Sequence, residues 1–128
     1  LKSNRKEDSQ DPNYTARQRQ AEANALVAQL SGLKKHFHDQ DVVLLGDMNI
    51  MTRETKTPAI FKDAGFKDLN EQEEGTTANW GKGYPSAPFD RIFVPLEQQE
   101  FMASKQVVHK PENVERIKDH RRKLSDHY

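Results

Sequence analysis

The sequence predicts an α+β domain, on three observations: a long helical stripe near the start, a short apolar run that reads as a strand, and a second apolar run beginning at an aspartate. The helix is predicted over residues 15–33, where Ala21, Ala25, Ala28, Leu26, Leu30 and Leu33 recur at steps of three and four. Thr15 is placed as its N-cap and Gly32 near its end. Ahead of it, residues 4–13 are polar, contain Pro12 and lack an apolar period, so they read as an exposed loop.

Asp41 leads into Val42, Val43, Leu44 and Leu45, a continuous β-favouring run predicted to be a strand covered on both faces. Residues 57–69 read as a short helix, with Pro58 in its first turn and Gly65 past its end. Residues 71–88 are rich in glycine and proline and read as a long loop around Trp80. A second strand is expected over residues 89–95, and a third over residues 104–110 around Val107 and Val108.

Length and composition bound this assignment. A chain of 128 residues accommodates one domain. Lysine plus arginine number 20 and aspartate plus glutamate 20, so the formal charge is zero, which argues against a highly basic nucleic-acid module. Charge is nevertheless uneven: residues 105–123 hold seven lysines and arginines against three acids. A solvated helix or loop laced with ion pairs accounts for that stretch more readily than a phosphate-binding surface does. A mean hydropathy of −1.00, with no apolar run longer than residues 42–46, leaves no candidate for a membrane span or a secretory signal core. The absence of cysteine removes disulfides, thiolate catalysis and cysteine zinc sites together.

Chemistry concentrates at the strand ends. Gly46-Asp47-Met48-Asn49 closes the first strand, and in extended geometry Asp47 and Asn49 share a face while Met48 turns away. An acid and an amide so placed suit phosphodiester chemistry: the amide donates to a phosphoryl oxygen while the carboxylate orients water or supplies a proton. Standing alone, the same residues would read as an Asx turn ending a strand. Asp90 opens the next strand, and Asp126 with His127 lies near residue 128. A carboxylate paired to imidazole fixes its tautomer and raises its basicity, and a further carboxylate can hold a hard cation such as Mg2+. His36 and His38 at the helix end, with a histidine of the basic tail, offer a separate metal-binding reading, weakened by their polar surroundings.

Three motifs in this order, Gly46-Asp47-Met48-Asn49, Asp90-Arg91-Ile92-Phe93 and Ser125-Asp126-His127, make the chain resemble the C-terminal half of the endonuclease/exonuclease/phosphatase superfamily, the deoxyribonuclease-I-like fold. The resemblance implies the C-terminal αβ half of a four-layer α/β/β/α sandwich and metal-dependent hydrolysis of a phosphate ester, nucleic acid among the substrates, with Mg2+ or Mn2+. It implies that Asp47 positions or protonates, that Asn49 contacts the scissile phosphate, and that His127 takes a proton from water. Asp90 would orient His127, Asp126 would contribute to the metal site, and Trp80 would face substrate. Members of the family carry an upstream metal-binding Asn and Glu and a further catalytic His or Tyr; the segment resembling Leu1-Lys2-Ser3 follows that region. The 128 residues are therefore expected to be part of a larger enzyme and inactive alone, with the missing half or a second copy covering an exposed sheet face. The rival expectation is a non-catalytic half-domain serving assembly or ligand binding.

Overall fold

The computed structural model describes Leu1, residues 13–78 and residues 86–128. Among the described residues its elements are α1 (Tyr14–Phe37), β1 (Leu44–Asp47), α2 (Lys56–Asp63), β2 (Phe66–Asp68), β3 (Asp90–Pro95) and α3 (Val114–Lys123), with a 3-10 turn at Gln99–Phe101. The architecture is α+β: one antiparallel sheet in the order β1-β3-β2, with α1 and α2 contributing to the core on one face.

The α1 helix forms where expected but buries a different stripe. Arg19, Ala23 and Leu30 are buried with Leu26 and Val27 beside them, while Ala21, Ala25 and Ala28 face solvent. It also runs five residues past Gly32, because an exposed glycine costs only about 1 kcal/mol inside a helix. The end is set instead by His38, whose left-handed backbone (φ 53°) lets its N–H bond the Lys34 carbonyl. Tyr14, not a residue after Thr15, begins the helix, and Asn13 precedes it.

The core gathers Ala23, Leu30, Leu44, Met48, Ile50, Phe61, Phe66 and Phe93. Phe61 of α2 and Phe93 of β3 meet at 4.5 Å between ring centroids, and both are fully buried. A second contact ties the helices: Arg19 Nη2 lies 2.5 Å from Glu54 Oε2, whose other oxygen accepts the Thr57 hydroxyl.

Three sequence expectations change. The helix predicted over 57–69 stops at Asp63, and residues 66–68 become β2, because Gly65 (φ 88°) turns the chain back onto β3. Residues 104–110 form no strand; Gln106 N–H bonds the Leu69 carbonyl, and the segment runs on without a ladder. The strand at 42–45 begins at Leu44 and is covered on one face only, for Leu44 is buried and Leu45 is 71% exposed.

Register sets the two faces. Leu44 pairs with Phe93, Leu45 with Ile92, Gly46 with Arg91 and Asp47 with Asp90. Alternation puts Arg91 and Phe93 toward the helices, and Asp47, Leu45, Asp90 and Ile92 on the opposite, outer face.

Candidate functional site

Asp47 ends β1 and Asp90 begins β3, so antiparallel pairing brings the two carboxylates side by side at one end of the sheet. The neighbouring bond from Met48 N–H to the Phe89 carbonyl (2.8 Å) makes theirs a non-hydrogen-bonded pair, the position at which facing side chains approach most closely. Like charges directly opposed destabilise a sheet by about 0.2–1 kcal/mol unless compensated.

Compensation for Asp90 comes from His127, whose Nδ1 lies 2.6 Å from Asp90 Oδ2, both side chains half-buried. With Nδ1 engaged by the carboxylate, the donor there is Nδ1–H, and Nε2 is left as the basic nitrogen of the neutral ring. The imidazole also lies beside the Phe89 ring at 6.3 Å between centroids.

The segment carrying His127 is fixed by its backbone. Ala78 N–H donates to the Asp126 carbonyl (2.7 Å), Tyr128 N–H to the Thr76 carbonyl (2.7 Å), and Thr77 bridges His127 as an isolated antiparallel pair. Thr76 and Thr77 are themselves buried and bonded to the stretch that leads into β3: both backbone amides donate to the Ala87 carbonyl, and the Thr76 hydroxyl accepts from Asp90 N–H at 3.0 Å. One short strip, Thr76 to Ala78, thus holds Asp90 on one side and His127 on the other. Helix α3 adds a further hold, because His120 Nε2 bonds the His127 carbonyl at 2.8 Å and the Ser125 hydroxyl accepts from His127 N–H at 3.0 Å. Burial removes water from the Tyr128 phenol and holds its pKa above the ordinary tyrosine value.

Asn49 departs from the expected geometry. Its backbone is left-handed (φ 51°), so the two-residue alternation of β1 does not extend to it. Asp47 Oδ1 instead accepts Asn49 N–H at 2.9 Å, an Asx turn, while Asn49 Nδ2 donates to the Leu1 carbonyl at 3.1 Å. Asp47 and Asn49 therefore remain neighbours through a turn rather than through a shared strand face. Asp126 is exposed; its backbone carbonyl is bonded, and its carboxylate makes no hydrogen bond or ion pair among the described residues. Trp80 lies outside the described residues.

Sequence reasoning gave no holding role to Thr76, Thr77 or His120, and named Ser125 only as part of the third motif; together they hold the pair in place. A hydroxyl pair in a loop carries no periodic signal, and only the pairing of residues far apart in the chain gives these residues a role. Comparison of the chain with protein-family models, with curated proteins and with solved structures finds no match.

Proposed function

We propose that this chain is the C-terminal αβ half of a four-layer sandwich of the deoxyribonuclease-I-like class, and that the end of its sheet is the hydrolytic centre of a metal-dependent phosphodiesterase. The observation that carries the reading is the 2.6 Å contact between His127 Nδ1 and Asp90 Oδ2, formed directly across the sheet from Asp47. A histidine whose far nitrogen is left basic by a carboxylate on the near one is equipped to draw a proton from water at neutral pH. Asp47, on the facing strand end, is placed to orient that water or to return a proton to the leaving oxygen. Asn49, fixed to Asp47 by the Asx turn, has an amide suited to a phosphoryl oxygen.

The donors at hand are hard oxygens, the kind Mg2+ or Mn2+ prefers. Asp126, with its exposed carboxylate, is the residue that would hold the ion. No three acidic or histidine side chains converge into a closed set among the described residues, so the reading requires a further carboxylate from outside them. When bound, such an ion neutralises charge on the phosphoryl oxygens. The outer face carrying Leu45 and Ile92 is the surface on which the second sheet of such a sandwich would lie.

The test joins the chain to an upstream half that supplies the second sheet and follows release of nitrophenolate from bis(4-nitrophenyl) phosphate in Mg2+. His127→Ala is expected to slow turnover by about two to four orders of magnitude, the range for loss of a general base. Undiminished turnover in that variant would discard the mechanism.

A further inference from the structure

Strand β3 runs further than β2. The two pair only from Phe66 opposite Pro95 to Asp68 opposite Phe93, and one more backbone bond, Leu69 N–H to the Ile92 carbonyl at 2.9 Å, extends the ladder. Asp90 lies two residues beyond Ile92, past the end of β2. The direction of its peptide groups is set by the other edge. Because Asp47 and Asp90 form a non-hydrogen-bonded pair, the Asp90 N–H and carbonyl point away from β1, toward the side where β2 has stopped. Backbone groups left without a strand must find other partners.

Side chains supply them. The Thr76 hydroxyl accepts the Asp90 N–H, and Gln106 Nε2 donates to the Asp90 carbonyl at 3.0 Å. Gln106 comes from the segment after β3 and is itself seated against the sheet. Its backbone N–H donates to the Leu69 carbonyl at 2.9 Å, and Lys67 Nζ of β2 donates to the Met102 and Ser104 carbonyls, at 2.9 and 3.4 Å, just ahead of it. The amide has one workable orientation, since turning it over would set Oε1 against the Asp90 carbonyl oxygen. In that orientation Oε1 is buried and has no hydrogen-bond partner among the described residues. An unpaired buried oxygen costs stability, and an apolar residue at this position would avoid it. What the amide gains in return is the bond to Asp90.

We propose that Gln106 is a positioning residue of the hydrolytic site: its amide replaces the strand that β2 does not provide beside Asp90, and so holds the carboxylate that orients His127. The inference rests on the phosphodiesterase reading and adds to it a residue outside the three sequence motifs. Thr76 holds Asp90 at its N–H and Gln106 at its carbonyl, so the carboxylate moves only through its own side-chain torsions. Its Oδ2 meets His127 Nδ1 at 2.6 Å, and a hydrogen bond weakens steeply as its angle opens. A displacement of about 1 Å at a catalytic group costs up to about a hundredfold in rate.

The experiment uses the chain joined to an upstream half that supplies the second sheet, with nitrogen-15 placed in the histidines. His127→Ala assigns the His127 imidazole signals by their loss. In the unsubstituted enzyme His127 is expected as the Nδ1–H tautomer with a sharp proton signal. Gln106→Met keeps the length of the side chain and removes its donor; it should broaden that signal and lower kcat for bis(4-nitrophenyl) phosphate about ten- to hundredfold, with KM within about twofold. Gln106→Glu, of the same size and without a donor once ionised above about pH 7, should act in the same direction, which covers a methionine variant that folds poorly. In an Asp90→Asn background Gln106→Met should cost less than about threefold, because the carboxylate it positions is gone, whereas a glutamine that serves only the fold would cost the same factor in both backgrounds. Unchanged kcat in both Gln106 variants, an unchanged Nδ1–H signal, or an equal fall with and without the Asp90 carboxylate would overturn the proposal. Full turnover in His127→Ala would instead overturn the phosphodiesterase mechanism, and the Nδ1–H signal would still judge whether Gln106 holds the pair.

Discussion

Replacing Arg91 should be among the most damaging single changes in this chain. Its guanidinium is 2% exposed and lies on the helix-facing side of β3, the residue after Asp90. Nη1 donates to Asp68 Oδ2 at 2.7 Å and to the Asn70 carbonyl at 2.9 Å, Nε donates to the Pro88 carbonyl at 2.9 Å, and Nη2 lies 3.7 Å from Glu73. The Asp68 side chain is also 2% exposed. Arg91→Ala therefore strands a buried carboxylate, a change that costs about 3–5 kcal/mol. For a chain of this size 1 kcal/mol corresponds to roughly 4 °C in Tm, so the midpoint should fall by about 12–20 °C. Removing both partners, Arg91→Met with Asp68→Leu, should restore about 2–3 kcal/mol, since the stranded charge is gone while the Pro88 and Asn70 carbonyls still lack their donor. Urea unfolding followed by far-ultraviolet circular dichroism measures Arg91→Ala, the double variant and its two single components, Arg91→Met and Asp68→Leu. A loss under about 1 kcal/mol for Arg91→Ala, or single-variant losses that simply add to within about 0.5 kcal/mol, would refute the reasoning.

Other outcomes follow from the same geometry. Gly75→Ala should destabilise the chain by about 1–3 kcal/mol in urea unfolding, because a Cβ there would sit 2.5 Å from the Ser86 carbonyl oxygen and side chain. Asn113→Ala removes the side chain that accepts Arg116 N–H at the start of α3, and should lower stability by about 0.5–2 kcal/mol, read as lost helical signal and weaker amide protection over Val114–Lys123. Asp47→Asn should do the reverse, gaining up to about 1 kcal/mol by relieving the opposed carboxylates while removing hydrolysis from the reconstituted enzyme; a destabilised Asp47→Asn protein would mean that the two charges are already reconciled in the fold.

What the sequence showed, and what it hid, divides by the range of the interaction. The long helix was legible because its period is local, yet its buried stripe was misplaced: Arg19 sits inside it, paired to Glu54 from a distant turn, and an arginine does not score as apolar. The strand at 89–95 was legible from Ile92, Phe93 and Val94. By contrast, Phe66, Lys67 and Asp68 look like the tail of a helix until β3 is present to pair with them, and Val107 and Val108 look like a strand although the segment reaches the sheet by the Gln106 N–H to Leu69 carbonyl bond and by the side chains of Gln106 and Lys67, without a ladder. β-propensity describes a surface waiting for a neighbour, and the neighbour is supplied by tertiary structure. For the site, chain order alone showed the types of residue and not their mutual placement: the pairing of Asp90 with His127, 37 residues apart and joined at 2.6 Å, was expected only through the resemblance of the three motifs.

That placement carries a cost, and the cost supports the function we propose. A sheet built for stability alone would not oppose Asp47 to Asp90 at a close pair. That penalty falls at the sheet end where His127 is bonded from three directions, by Asp90, by Ser125 and by His120. Elsewhere among the described residues the buried charges are neutralised in place, Arg19 by Glu54 and Arg91 by Asp68, which is how a fold treats charges that serve only itself. Among the described residues the carboxylate at Asp47 receives a backbone bond from Asn49 N–H, and the residue is exposed. An acid left open opposite an acid already paired to a histidine divides the two carboxylates by environment; in the mechanism we propose, one would hold the base and one would meet the substrate, the division of roles that proton transfer on both sides of a phosphoryl group requires.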